Sequence, residues 1–353
     1  MKILLTGVTG AVGSWHVPEL LRRGHRVTCL IRGENPKKRL AEIMPPDAAE
    51  KVAILSGDIT SPLGGLTQSD ISILNGQFDC FVHHAGLVKF DQDVAAETYA
   101  ANIGGTANMM SLARELKIPR FCYNSSVYAN GKKPRNPYEY SKAAAEQLVY
   151  NWPNGQFMIL RPSIVVGHSQ TGKTNSYTGY YGWFSGFSYL KHQLRKRWNQ
   201  DSSSYQGFHF TGDILVFDEH LWLEYSTAST LNMVPVDWLA SAMTDAIENG
   251  QWGKVYNLAD PNPPRVAWVI KESFDILGIR GVNRKTSQAK EPASPVLSQA
   301  QRHLDKRLKI YLPYVTSERR FGCDAIKGAP PEINKAFLGT MLKYALATKF
   351  GHQ

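Results

Sequence analysis

Apolar positions in the first 166 residues fall into short unbroken runs, separated by stretches with helical spacing. The runs at 3–5, 26–31, 52–55, 78–82, 120–124 and 157–160 predict six strands, the first of them buried on both faces. Between them the periodicity predicts a helix from Gly13 to a stop at Gly24, with Pro18 inside it. A long helix follows over 94–116, and another carries Tyr138-Glu139-Tyr140-Ser141-Lys142 at its start and runs to about Tyr150. Doubly buried strands alternating with helices predict an α/β fold built on a doubly wound parallel sheet. The pattern breaks after Val166. Residues 167–230 are rich in Gly, Ser, Tyr and Trp, without regular alternation of strand and helix. Met233-Val234-Pro235-Val236-Asp237 and Val255-Tyr256-Asn257-Leu258 return to the strand pattern, with a helix over 240–247 between them. The remainder, with Pro292, Pro295, Pro313, Pro330 and Pro331, reads as helices and loops.

The first strand stops in three glycines, Gly7, Gly10 and Gly13, and a helix begins at once. A turn of that kind lets backbone come within contact distance of a pyrophosphate while the helix N-terminus faces the anion. The whole turn, with Gly7, Thr9, Gly10, Ala11, Val12 and Gly13, is therefore assigned to cofactor binding, although its spacing is G-x-x-G-x-x-G rather than G-x-G-x-x-G. The fold expected is Rossmann-type, with a dinucleotide-binding domain over 1–166 completed by about 233–260. A smaller, mostly helical substrate-binding region would take 167–232 and 261–353. In NAD sites an acidic residue about 20 positions past the glycines meets the ribose hydroxyls. Here Arg32 stands there, followed by Lys37, Lys38 and Arg39, which favours the 2′-phosphate of NADP(H).

Ligands of open α/β sheets bind at the strands' C-terminal ends, where this chain places Ser56-Gly57-Asp58-Ile59, His83-His84-Ala85-Gly86, Ser125-Ser126 and Arg161-Pro162-Ser163. His83 and His84 suggest a metal or a base, but adjacent strand residues point to opposite faces and no partner stands at metal-ligand spacing, so no metal is expected. Tyr138 and Lys142 are four apart on a helix and share a face; Tyr140 points elsewhere.

With 353 residues, 43% hydrophobic and 20% charged, the chain has the composition of a soluble protein large enough for a substantial core. The first strand begins at Lys2, leaving no room for a signal peptide, and no apolar run nears the ~20 residues of a membrane helix. A cytoplasmic protein without membrane insertion is expected. Cys29, Cys80, Cys122 and Cys323 form no C-x-x-C pair and read as reduced thiols. The net charge of +10 is scattered in small groups without a nucleic-acid motif, so nucleic acid is not an expected partner. The aromatics between Tyr177 and Tyr189, followed by Lys191, Arg195, Lys196 and Arg197, suggest an apolar acyl or aryl pocket with a basic rim for a polyanionic arm.

Glycine loop, then serine after the fifth strand, then Tyr-x-x-x-Lys opening the next helix: in this order the chain resembles the extended short-chain dehydrogenase/reductases, the NAD(P)-dependent epimerase/dehydratase superfamily. The resemblance covers Met1 to about Leu258 and implies Ser126 as holder of the substrate oxygen, Tyr138 as proton donor or acceptor, and Lys142 as the group that binds the nicotinamide ribose and lowers the phenol's pKa. It also implies an adenine contact at Asp58 and Ile59, a cofactor-facing loop at Ala85 and Gly86, a helix asparagine at Asn102, and a nicotinamide contact at Pro162 and Ser163, with Tyr138 and Lys142 touching the cofactor too. Leu30-Ile31-Arg32, Gly57-Asp58-Ile59-Thr60, Ser125-Ser126-Val127-Tyr128-Ala129-Asn130 and Val234-Pro235-Val236-Asp237 look most like the fatty acyl-CoA reductase and thioester reductase, or male sterility-type, branch. Only eleven residues separate Ser126 from Tyr138, which is short for that branch. The expectation is an NADP-dependent oxidoreductase acting on a small-molecule or carrier- or CoA-linked acyl substrate, with an acidic carrier protein as a compatible partner and a homodimer as a compatible assembly. Ketone or aldehyde reduction, a 3-hydroxy dehydrogenase, a nucleotide-sugar epimerase or dehydratase, and a non-catalytic NADP-sensing regulator remain as alternatives.

Overall fold

The computed structural model describes residues 1–129, 133–153, 156–202 and 206–351. Seven parallel strands, β1 (Lys2–Thr6), β2 (Arg26–Ile31), β3 (Ala53–Ser56), β4 (Cys80–His83), β5 (Arg120–Asn124), β6 (Phe157–Pro162) and β11 (Lys254–Leu258), form one sheet in the order β11-β6-β5-β4-β1-β2-β3. The expected strands lie within two residues of the observed ones. β1 pairs with β2 on one side and β4 on the other, Leu5 standing between Cys29 and Val82, so the order of connection reverses at β1 and opens a crevice at its C-terminal end. Alternate residues of β1 divide between two apolar layers: Ile3 and Leu5 pack with Cys29, Val82 and Leu160, while Leu4 packs with Phe81, Phe121 and Ile159. Cys29, Cys80 and Cys122 are buried free thiols, and Cys323 is half-buried.

A third core takes its residues from Val166 onward. Here the structure departs from the expectation of irregular chain. Tyr180–Gln200 is a 21-residue helix, and β8 (Phe208–Thr211), β9 (Ile214–Leu223) and β12 (Ile279–Arg284) form a three-stranded sheet in the order β12-β9-β8. The helix hid its period because all residues from Tyr180 to Phe187 are buried, and a helix covered on every side shows no apolar stripe. β7 (Ile164–Val166) and β10 (Met233–Pro235) form a separate parallel pair beside the main sheet.

Two local devices aim the helix Pro137–Tyr150. Asn136 caps it, its side chain accepting from the Glu139 N–H at 2.9 Å, and Pro137 begins it with φ already set. On its inner face Glu146 receives Arg161 of β6 at 2.8 Å, a buried ion pair that fixes the helix to the sheet. The long helix expected over 94–116 is interrupted at Ala100–Gly104 by one π turn, which presents Asn102 inward.

Breaking the Glu146–Arg161 pair leaves an uncompensated buried guanidinium. Glu146→Gln should lower stability by about 3–5 kcal/mol, read as a lower urea midpoint with an unchanged slope.

Candidate active site

A cleft of about 200 Å³ opens at the C-terminal end of β1. One wall is the glycine turn. Gly7 has φ +79°, and a Cβ there would sit 2.4 Å from the Ala85 nitrogen; a Cβ on Gly13 would sit 2.2 Å from the Gly7 carbonyl oxygen. Only glycine allows the turn, the 84–86 loop and the helix Gly13–Arg22 to close to backbone contact. Gly10 donates its N–H to the Gly7 carbonyl at 3.0 Å.

The opposite wall carries the candidate catalytic side chains. Ser126 lies just beyond β5, where its hydroxyl accepts the Tyr128 N–H at 3.2 Å and lines the cleft together with Tyr138. Tyr138 and Lys142 face the cleft from the same side of their helix, whereas Tyr140 is half exposed and packs on Tyr99. Lys142 is buried, donates to the Asn124 carbonyl at 2.7 Å and lies 4.7 Å over the Tyr123 ring. Burial lowers its pKa from 10.5 to about 8, with Glu146 pulling the other way. Burial likewise pushes the Tyr138 phenol up from 10.0 to about 12 against the opposing influence of the Ser126 hydroxyl. The sequence reading expected an ammonium to draw this phenol toward neutrality. Desolvation is the largest influence on it here and keeps the phenol protonated at neutral pH.

Asn102 holds the loop opposite. Its Oδ1 accepts from the Leu87 N–H at 2.7 Å, and its Nδ2 donates to the Leu87 carbonyl at 2.9 Å and to Ser141 Oγ at 2.8 Å. Gly86 is thereby set beside Lys142: a Cβ on it would lie 2.9 Å from Asn102 Oδ1 and 3.5 Å from Lys142 Nζ.

Of the residues anticipated from sequence, the cleft gathers Gly7, Gly10, Ala11, Val12 and Gly13 with Gly86, Ser126, Tyr138, Lys142, Pro162 and Ser163. Thr9 and Ala85 sit in its loops without lining it, Ala85 donating its N–H to Thr6 Oγ1 at 3.4 Å. Arg32, Asp58 and Ile59 stand further along the sheet edge. Arg32 is largely exposed, with Nη1 3.8 Å from Asp58 Oδ2, and Arg39 donates to the Arg32 carbonyl at 2.8 Å. Asp58 also receives the Thr60 N–H and hydroxyl, each at 2.9 Å, which hold its carboxyl below its ordinary pKa. Ile59 packs on Gly105. Asn130 lies outside the described residues.

Asn124, Ser125, Phe90 and Tyr314 also line the cleft. The strand-end rule named Ser125 and could have named Asn124, the last residue of β5; Phe90 and Tyr314 carry no sequence signal, being brought in from distant segments. His83 and His84 do point to opposite faces. His83 bonds Thr6 Oγ1 at 2.6 Å and Thr106 Oγ1 at 3.2 Å, while His84 pairs with His16 at 2.7 Å, and burial holds both imidazoles neutral.

The basic rim is a correction. Lys191 is tied to the Leu277 carbonyl at 2.7 Å, and Arg195 lies 3.7 Å over the Phe210 ring beside Asp213. Packing on β8, β9 and their neighbours uses those charges. Of the four residues expected there, Arg197 alone lines the open groove of about 1170 Å³, and it is joined there by Lys306, Arg307 and Lys309 from later in the chain.

The cleft suits a dinucleotide. The glycine turn offers backbone where any side chain would intrude, and Asn124 Oδ1, Ser125 Oγ and Ser163 Oγ are buried on it without a partner, as groups awaiting a polar ligand would be.

Sheet order, switch-point crevice and glycine turn define an NAD(P)-binding α/β protein of the extended short-chain dehydrogenase/reductase class. The chain belongs to the Male sterility protein family, whose profile matches residues 5–137 and 129–243. It is 31% identical over 141 residues to UDP-glucose 4-epimerase of Klebsiella pneumoniae, spanning 39% of this chain and 98% of that protein. It is 30% identical over 147 residues to fatty acyl-CoA reductase 1 of Xenopus laevis, spanning 36% of this chain and 28% of that protein. The crystal structure of the terminal R domain from the myxalamid PKS-NRPS biosynthetic pathway superposes with a TM-score of 0.74 at 23% identity, covering 99% of this chain and 91% of that one. These are reductase- and epimerase-type relatives. No helix among the described residues is long and apolar enough to cross a membrane.

Lys142 should be a stability liability. Because folding depresses its pKa from 10.5 to about 8, the unfolded chain binds the extra proton between those values, and the penalty is full below pH 8 and fades as pH rises toward 10.5. Lys142→Met should therefore raise stability by roughly 1–3 kcal/mol at pH 7, with the difference in urea midpoint shrinking by pH 10.

Proposed function

We propose that this protein is an NADPH-dependent reductase of an acyl thioester or related carbonyl, with Ser126, Tyr138 and Lys142 as its catalytic residues. The observation that carries the reading is the convergence of those three side chains with the glycine turn in one cleft. NADPH, when bound, supplies the hydride. The Ser126 and Tyr138 hydroxyls, which line the same cleft, hold the substrate's carbonyl oxygen and stabilise the charge that develops on it. The Tyr138 phenol then gives up its proton to that oxygen. Burial keeps it protonated at neutral pH, the form a proton donor must have. Lys142, charged below about pH 8, stabilises the phenolate left behind and would bind the cofactor's ribose. Pro162, Ser163 and Gly86 would hold the nicotinamide end, and the glycine turn would take the pyrophosphate. For a thioester the product collapses to an aldehyde and a free thiol.

The basic groove with Arg197, Lys306, Arg307 and Lys309 suits the phosphate-bearing arm of coenzyme A or of a carrier's phosphopantetheine, and its charge would act mainly on encounter rate. Similarity to a fatty acyl-CoA reductase and to the fold of a terminal R domain supports this choice. Similarity to UDP-glucose 4-epimerase supports a second reading, sugar epimerisation on retained NAD. Arg32 beside Arg39 speaks against it, since two guanidinium groups at the ribose end fit a 2′-phosphate.

The test presents one acyl group as its coenzyme A thioester, its aldehyde and a ketone of similar size with NADPH, and UDP-glucose with NAD. Thioester turnover that weakens with salt supports the proposal; ketone turnover alone, or epimerisation, overturns it. Tyr138→Phe should lower kcat by about 10²–10⁴-fold while NADPH binding, followed by fluorescence, stays nearly intact.

Cofactor choice is checked separately. Arg32→Ala should weaken NADPH binding by about ten-fold or more and leave NADH binding almost unchanged; equal losses for the two would reject NADP(H) preference.

A further inference from the structure

A second cavity, of about 60 Å³, adjoins the cleft and shares Phe90, Ile164, Gly179 and Tyr314 with it. Its far walls are Trp183, Phe184 and Ile270, with Leu231 beside them, all buried. The space meets only carbon. Of the three tyrosines that line it, Tyr180, Tyr311 and Tyr314, two have their hydroxyls occupied: Tyr180 OH pairs with Ser273 Oγ at 2.9 Å, and Tyr314 OH accepts from Asn136 Nδ2 at 2.8 Å. Phe90 connects this cavity to the chemistry, its ring standing edge-on to Tyr138 at 5.9 Å and 5.5 Å from Tyr314.

We infer that this side cavity receives the apolar end of the substrate whose carbonyl lies at Tyr138, and that its size makes the substrate class a short acyl chain rather than a long fatty one. This rests on the reductase reading above. A dry, carbon-lined space gains nothing from water and favours apolar occupants. At the ~30 Å³ of a water-sized group, it admits roughly two carbons. Continuity with the cleft gives the occupant a route, and the absence of any polar wall excludes a sugar hydroxyl or carboxylate from the end that enters. Trp183 and Ile270 close the far side and so act as the ruler, neither of them touching the reacting carbonyl.

The experiment measures kcat/KM with NADPH for straight-chain acyl-CoA thioesters from acetyl to octanoyl, and for the matching aldehydes. The expected profile rises about four-fold per carbon, the ~0.8 kcal/mol of a buried methylene, and levels off near the butanoyl member. Ile270→Phe, which fills the space from one side, should lower the butanoyl-to-acetyl ratio about ten-fold; Trp183→Phe, which enlarges it, should move the plateau to longer chains. NADPH binding reports that each variant is folded. A profile indifferent to chain length, or variants that scale every length equally, overturns the inference. Should no thioester or aldehyde turn over, the reductase reading fails, and the cavity is judged by thermal unfolding instead. Butanamide raising Tm above acetamide at equal concentration in the wild type but not in Ile270→Phe sustains an apolar-end site; no difference between the amides rejects it.

Discussion

Backbone packed directly on backbone at the end of β1 is the constraint on which the site depends. Gly7 abuts the 84–86 loop and Gly13 abuts Gly7, with no room for a single methyl group at either position. That closeness brings the helix Gly13–Arg22 and the loop after β4 to the same crevice, so free backbone N–H groups and the catalytic wall face each other across a narrow gap. Looser packing would leave both halves intact and the cleft too wide to align them.

The catalytic wall is costly to bury. Lys142 loses much of its preference for the charged state, Tyr138 becomes harder to ionise, and Asn124, Ser125 and Ser163 each leave a polar atom unpaired. Such groups weaken a fold unless something else holds them, and here the supports are structural pairs that take no part in the chemistry. Glu146 with Arg161 anchors the helix to β6. Glu139, fully buried, receives Arg135, which also reaches the Pro313 carbonyl at 2.6 Å and so draws the segment carrying Tyr314 over the cleft. The site's roof and its catalytic helix are thus fastened by the same two residues.

Function divides along the same lines. The cleft proposed for the cofactor is made from glycines and strand termini within the first 163 residues. The side cavity proposed for the substrate is lined from Phe90, the helix Tyr180–Gln200, the helix Val266–Leu277 and the Tyr311–Tyr314 segment. Relatives of different names match this chain over parts of its length, which fits a shared fold that carries different functions.

Local patterns settled whatever depends on neighbours in the chain. Buried strands announced themselves as apolar runs, the glycine turn by its spacing, and the shared face of Tyr138 and Lys142 by the helical repeat, so the parallel sheet and the chemical wall of the cleft were legible before any coordinates. Family resemblance added Ser126, Asn102 and the branch. Only tertiary structure decided the rest. The helix Tyr180–Gln200 is buried on all sides at its start and therefore shows no stripe. Lys191 and Arg195 looked like a rim but are held by Leu277, Asp213 and Phe210. The phenol's acidity reversed direction because burial is a property of packing, not of spacing. Phe90 and Tyr314, more than two hundred residues apart, meet across the cleft because the chain folds back on itself, and no periodicity along a sequence encodes a contact between segments that distant.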